Sequence, residues 1–303
     1  MNPHPDGVPD AQAEPKEQAK IRKLTKIVVD FMEGPENQNR SPANPEKAFS
    51  VPFLGFASGD DPYWENIKTA AGQDHWTPLE AFQKARPELS GVKAGDVTVV
   101  AIVCPQTSET KSDQKKARGF PAERWIRSRY FADSILPALC RRAAEFLESE
   151  GVPAAIPDLL ESFSTFPHPK YQIASNWSHR HAAFAAGLGS FGLCDGLITR
   201  IGKAHRLTSL IVLDRYPPTP RPYSDPYEYC LFRSGGGCRK CMERCPVGAI
   251  TPNGHDKTLC KAFLDSGKPV IAEKHPDIKG AYGCGLCQAG VPCGDRIPVP
   301  PSP

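Results

Sequence analysis

Eight of the chain's eleven cysteines fall between Cys230 and Cys293, and their spacing restricts the possible folds more than any other feature. The run Cys238-Arg-Lys-Cys241-Met-Glu-Arg-Cys245-Pro246 reproduces the later part of the bacterial Cys-x2-Cys-x2-Cys-x3-Cys-Pro pattern that holds iron–sulfur clusters. Cys260, Cys284-Gly-Leu-Cys287 and Cys293 follow. A four-iron cluster needs four thiolates converging from a short, sharply folded backbone, with glycine wherever main chain passes close to sulfur. In two-cluster ferredoxins the cysteine before the proline ligates the other cluster. That rule places Cys245 with Cys260, Cys284 and Cys287, and Cys238 and Cys241 with Cys293. The second set is one ligand short. Gly235 stands where the pattern would begin, so Cys230, just upstream of Ser234-Gly-Gly-Gly237, is expected to supply the fourth thiolate.

Structural zinc also uses Cys-x2-Cys pairs, but a zinc site does not call for the Cys-x3-Cys-Pro signature. Disulfides are disfavoured: the chain shows no secretory leader and no apolar run of membrane-spanning length, so it is read as cytoplasmic, away from membranes, where thiols stay reduced. The remaining Cys104, Cys140 and Cys194 suit buried apolar positions and are read as inert.

With 37 basic and 34 acidic residues the charge is nearly balanced, which argues against a dedicated nucleic-acid binder. A length of 303 residues accommodates a large domain and a small one. Residues 1–20 read as a disordered or loosely attached arm, 21–225 as an α/β cofactor- and substrate-binding domain, and 226–303 as a small ferredoxin-like domain with two clusters. Within the large domain a first helix is predicted from Ile21 to Met32, then irregular loops to about Leu89 anchored by Trp64, Trp76 and Phe82. The stretch Asp96–Cys104 is apolar on both faces, as in a strand inside a sheet. A long amphipathic helix covers about Pro121–Ser149, its arginines beside Trp125 read as a solvated face, and Gly151 stops it. Val152-Pro-Ala-Ala reads as a short edge strand. A loop carrying Asp158, Glu161, His168 and Tyr171 leads to a helix after Ser178.

The segment Gly187-Leu-Gly189-Ser-Phe-Gly192 matches the dinucleotide pattern G-x-G-x-x-G but ends a helix instead of opening one after a strand, which speaks against a nicotinamide site. Glycines at this density let backbone approach a large flat group. Gly187, Gly189, Gly192 and Gly196 are therefore expected to border a cofactor.

Ala186-Gly-Leu-Gly through Gly192, Gly196-Leu-Ile-Thr199, the apolar strand after it and the paired cysteine sets together resemble the cobalamin-dependent epoxyqueuosine reductases and reductive dehalogenases, over about Gly151 to Cys293. The resemblance implies a nitroreductase-like α/β (α+β) domain holding base-off cobalamin, followed by a two-cluster domain of bacterial-ferredoxin type. It implies an oxidoreductase in which two [4Fe–4S] clusters pass electrons from an external ferredoxin or flavodoxin to the corrinoid, which reductively cleaves a small or nucleoside-like substrate. Two features depart from the pattern. The aspartate that the epoxyqueuosine reductases place before this segment falls near Ile173 and Ala174, so Tyr171, a role tyrosine fills in the resembling dehalogenases, is the expected proton donor, with His179 and then His181 as alternatives. The sequence also ends soon after Cys293, where those reductases commonly carry an extension that engages tRNA, so tRNA is not the expected partner. A protein that reduces a partner's corrinoid, or one holding flavin instead, is the alternative.

Overall fold

The computed structural model describes residues 15–42 and 45–299. Helix α1 (Lys16–Glu33) leads to strand β1 (Phe53–Ser58), helices α2 (Tyr63–Ala71) and α3 (Pro78–Ala85), and strand β2 (Thr98–Pro105). Helices α4 (Ser108–Lys116) and α5 (Glu123–Ser149), the two-residue strand β3 (Ala154–Ala155) and a hairpin of β4 (Thr165–His168) and β5 (Gln172–Ser175) follow. Next come α6 (His179–Ala185), a second hairpin of β6 (Gly189–Phe191) and β7 (Leu197–Thr199), and the long strand β8 (His205–Val212). The cysteine-bearing segment holds α7 (Lys240–Glu243), β9 (Ile250–Thr251), β10 (Gly254–His255) and α8 (Lys257–Lys274).

The core is a four-stranded sheet in the order β1-β2-β8-β3, with every neighbouring pair antiparallel. Strand β2 is buried at all eight positions. Its alternation divides the interior in two: Val99, Ala101 and Val103 join one apolar cluster, Val100, Ile102 and Cys104 the other. On the first face pack Trp64 and Ile67 of α2, Phe82 of α3 and Ala182–Ala185 of α6. On the second pack α1, through Leu24, Val28 and Met32, and α5, through Ile135 and Leu139. Each large aliphatic side chain buried this way contributes about 1.5–3 kcal/mol, which is why a strand with no polar face lies at the centre. β3 is one of the two edge strands, as its flanking prolines predict.

Three expectations are corrected. The stretch up to Leu89, expected as irregular loops, supplies β1 to the central sheet and the helices α2 and α3. Most of the arm expected over residues 1–20 lies outside the described residues, but its last part belongs to α1, which opens at Lys16. The arginines beside Trp125 are not a solvated face either. Arg127 is 2% exposed and paired with Asp277 and Glu123, and Arg124 bonds Glu46 and Asp113. The Arg127–Asp277 pair ties α5 to the cysteine-bearing segment. Besides α8 that segment has only short elements, and it is held to the sheet domain by hydrogen bonds: Arg244 donates to Gln114 O at 2.9 Å, Gln114 Nε2 donates to Cys284 O at 2.6 Å, and Lys203 N donates to Cys293 O at 3.0 Å. Gly285 completes the seam, because its φ of +63° is left-handed and an added Cβ would come within 2.1 Å of the Trp125 indole.

Candidate active site and thiol sets

Two cavities open where the cysteine-bearing segment meets the sheet domain. The larger, of about 720 Å³, has Cys245, Cys260, Cys284 and Cys287 in its wall. The smaller has Cys230, Cys238, Cys241 and Cys293. Among the described residues no three His, Cys, Asp or Glu side chains close on a single ion. A cubane binds each thiolate at a different iron, so its ligands ring a space rather than a point. Four thiols around each cavity, with no carboxylate in the smaller set, are a soft donor set that suits iron–sulfur.

Lys203 lines both cavities. It is 2% exposed, and its Nζ lies 3.2 Å from the Sγ of Cys194. Cys194 in turn hydrogen-bonds Cys241 from one set and Cys287 from the other, and these contacts, with the Lys203 ammonium, pull its thiol well below the ordinary range against the opposing effect of burial. Cys194, expected in an apolar position, thus lies among charged and sulfur-bearing groups instead. Cys104 and Cys140 do sit in apolar surroundings, where burial pushes both thiols up, Cys140 to about 12.

Opposite the thiols, the larger cavity is walled by Asp158 and by His179 at the start of α6. His179 Nε2 lies 3.3 Å from Asp158 Oδ2, and His179 Nδ1 lies 2.8 Å from Ser209 Oγ. Trp177 Nε1 donates to that same hydroxyl oxygen at 3.0 Å. The Ser209 hydroxyl and His179 Nδ1 share a hydrogen bond that sets the orientation of the ring and turns Nε2 towards Asp158. Burial pushes the Asp158 carboxyl up, but the hydrogen bond and charge of His179 outweigh it and hold the group below the usual carboxylate value.

The other proton-donor candidates stand elsewhere. Tyr171 is outside the cavity lining: its ring stacks on His168 at 4.8 Å and its hydroxyl donates to Thr69 O at 3.2 Å. His181 is also outside that lining, bonded to Ser178 Oγ at 2.8 Å and packed edge-on against His75. Sequence reasoning placed Asp158 in a notable loop but could not pair it with His179, because Ser209, which orients the ring, lies on a strand thirty residues away. Nothing in the sequence singled out Lys203.

The glycine segment serves packing. A Cβ on Gly187, whose φ is +71°, would come within 2.5 Å of Pro220 O, one on Gly189 within 2.2 Å of Ile198 O, and one on Gly192 within 3.2 Å of Gly196 O. None of these three lines the larger cavity, whereas Gly196 does. Gly187, Gly189 and Gly192 thus meet protein backbone, the close approach of the α6 end and the β6–β7 hairpin, where a cofactor edge was expected.

Fold and site together define a mixed helix-and-sheet protein with a thiol-walled cavity docked against its central sheet. No protein-family model matches the chain. It is similar in sequence to the epoxyqueuosine reductase of Bacillus cereus, 26% identical over 256 residues that take in 81% of this chain and 62% of the relative. It is similar also to the epoxyqueuosine reductase of Staphylococcus aureus, 26% identical over 215 residues, 69% of this chain and 50% of that one. In structure it is similar to an epoxyqueuosine reductase solved with an epoxyqueuosine-modified tRNA stem loop, with a TM-score of 0.51 and 17% identity over 92% of this chain and 66% of that chain, a likeness of fold. The chain thus spans between half and two thirds of the length of these relatives. Among the described residues no helix is long and apolar enough to cross a membrane.

Proposed function

We propose that the chain is a reductase that carries two [4Fe–4S] clusters, one on Cys230, Cys238, Cys241 and Cys293 and one on Cys245, Cys260, Cys284 and Cys287, and that delivers electrons to a corrinoid and substrate in the larger cavity. One observation carries this. The second thiol set and the Asp158–His179 pair face the same cavity of about 720 Å³, a volume within the range of clefts that hold cofactors and ligands. An electron source and a proton source then converge on one space, as reductive bond cleavage requires.

Bound there, a corrinoid would supply the bond-breaking chemistry. The chain's own residues do the rest. Cys245, Cys260, Cys284 and Cys287 hold the nearer cluster against the cavity. Apolar side chains such as Leu136, Leu207 and Phe263 in the same wall keep water from the reacting bond. His179, oriented by Ser209 at Nδ1, faces Asp158 through Nε2, and the pair, carrying one proton taken up from solvent between imidazole and carboxylate, would pass that proton to the fragment that cleavage leaves. The substrate class is a small or nucleoside-like molecule, and tRNA returns to the candidates because a relative of the same fold was solved with a tRNA stem loop. An external ferredoxin or flavodoxin is the proposed donor.

The test is anaerobic purification followed by iron, sulfide and corrinoid determination, then turnover with a low-potential reductant on an epoxyqueuosine-modified stem loop and on the free nucleoside. Two clusters with a bound corrinoid and product formation are expected. Protein that takes up zinc in place of iron, or that reduces a separate corrinoid protein without turning over either substrate, would refute the assignment.

A further inference from the structure

Arg206, near the start of β8, has its side chain in the wall of the larger cavity. Among the described residues it makes no ion pair and no side-chain hydrogen bond, and its Nε is sealed from solvent without a partner. The Trp125 ring lies 5.8 Å from its guanidinium carbon. The acids around it are engaged elsewhere: Asp133 bonds Arg129 at 2.6 Å, and Asp158 faces His179. Burial, followed by the neighbouring Arg129 charge, pushes the Arg206 guanidinium down to about 9. By contrast Arg124, Arg127 and Arg129 on α5 are each paired with a carboxylate.

Arg206 is partly buried with only its Nε sealed, and a guanidinium held in a cavity wall without a counter-ion stabilises the fold little on its own account. Two further polar atoms in the same wall, Asp158 Oδ1 and Gln288 Oε1, are also sealed and unbonded. The chain therefore keeps one strong donor and two acceptors around a single space, and among the described residues no carboxylate answers the donor, whose one protein contact is the Trp125 ring.

We propose that Arg206 receives an oxyanion, a carboxylate or phosphate oxygen, of the molecule that occupies this cavity. The planar fork of guanidinium donors suits two oxygens of one such group, which fixes orientation as well as charge. The oxyanion belongs either to the substrate or to the phosphate of a bound corrinoid. The inference rests on the proposed reductase only for the identity of that occupant; its test reads binding alone, so it can fail while the redox assignment holds, and the reverse.

The experiment compares thermal unfolding of the anaerobically purified holoprotein in inorganic phosphate, in acetate and in chloride at one ionic strength, for the parent and for Arg206→Met and Arg206→Gln. Phosphate or acetate is expected to stabilise the parent in a saturable way beyond chloride, and either substitution to weaken that binding more than tenfold while leaving the melting temperature in chloride equal or higher. A response in protein isolated both with and without corrinoid assigns the oxyanion to the substrate. A response confined to corrinoid-free protein assigns it to the cofactor's phosphate. The proposal is overturned if the parent shows no anion-specific stabilisation in either preparation, if the variants respond as the parent does, or if both variants melt well below it in chloride, which would make Arg206 a packing residue on Trp125.

Discussion

The buried ammonium of Lys203 lies 3.2 Å from the Cys194 thiol, and Lys203 is shared by the walls of both cysteine-lined cavities. A fixed positive charge there favours the reduced, more negative state of any cluster on either side, because cluster potentials follow local charge and hydrogen bonding to sulfur. Lys203→Met should lower both potentials, by about 59 mV for a tenfold change in the one-electron equilibrium. Redox titration followed by electron paramagnetic resonance reads this directly. Unchanged potentials in a folded, cluster-replete variant would mean that Lys203 serves only to satisfy Cys194.

Iron content separates Cys230 from Cys194. Two cubanes require about eight irons and eight thiolates, and the smaller cavity has Cys230 in its wall while Cys194 does not line it. Cys230→Ala should lose one cluster or leave it as a three-iron form. Cys194→Ser should keep the full iron and sulfide complement. If the two variants exchange these outcomes, Cys194 is the ligand and Cys230 packing.

Removing the proton source should spare the clusters and slow turnover. Asp158→Asn and His179→Gln are each expected to reduce the rate at least about a hundredfold, the scale of a lost general acid, with iron content unchanged. Tyr171→Phe, which loses only a hydrogen bond to Thr69 O outside the cavity, should stay within about threefold of the parent. A large loss in Tyr171→Phe with full activity in His179→Gln would reverse the assignment.

For the glycines the expected phenotype is loss of soluble protein. Gly189→Val must push Ile198 backbone aside from a 2.2 Å approach, and Gly187→Ala adds a Cβ at a φ of +71°. Soluble yield and melting temperature should fall for both. Well-folded Gly189→Val protein that had lost only its corrinoid would restore these residues to the cofactor site.

Much of this was legible in the chain itself, for reasons that differ by residue. Val99 to Cys104 announced a central strand because no polar side chain interrupts it, and the spacing of Cys238, Cys241, Cys245, Cys284 and Cys287 speaks for clusters because ligand geometry is local to a turn. Gly187, Gly189 and Gly192 could be read two ways, since the same absence of Cβ serves a macrocycle edge and an abutting strand equally well, and the backbone around them favours the second. Lys203, Arg206 and the Asp158–His179–Ser209 chain were illegible: each depends on which side chains two strands and a loop bring together from distant positions. Their burial, and not their identity, gives them a role.

Acid should destabilise the fold through two buried histidines. His75 is 1% exposed, gives its Nδ1 hydrogen to Trp76 O at 2.8 Å and leaves Nε2 sealed without a partner, and burial lowers its pKa from 6.5 to about 4. His205 is alike, with Nε2 on Leu197 O at 2.9 Å, Nδ1 unpartnered and a pKa also lowered by burial to about 4. A histidine whose folded value lies below its unfolded one is protonated first in the unfolded chain. Its contribution to stability is therefore complete above about pH 6.5 and is lost as the pH falls towards 4. From pH 7.5 to 5.5 each such group should remove about 1.4 kcal/mol. Cluster loss in acid would lower stability too, so the comparison is between the parent and His75→Gln at both pH values, where cluster effects cancel. The drop in urea midpoint should be smaller in the variant by the share of one histidine. Equal drops would show that His75 takes up its proton in the folded protein near its ordinary value, and that the Nε2 side of the ring is open to water.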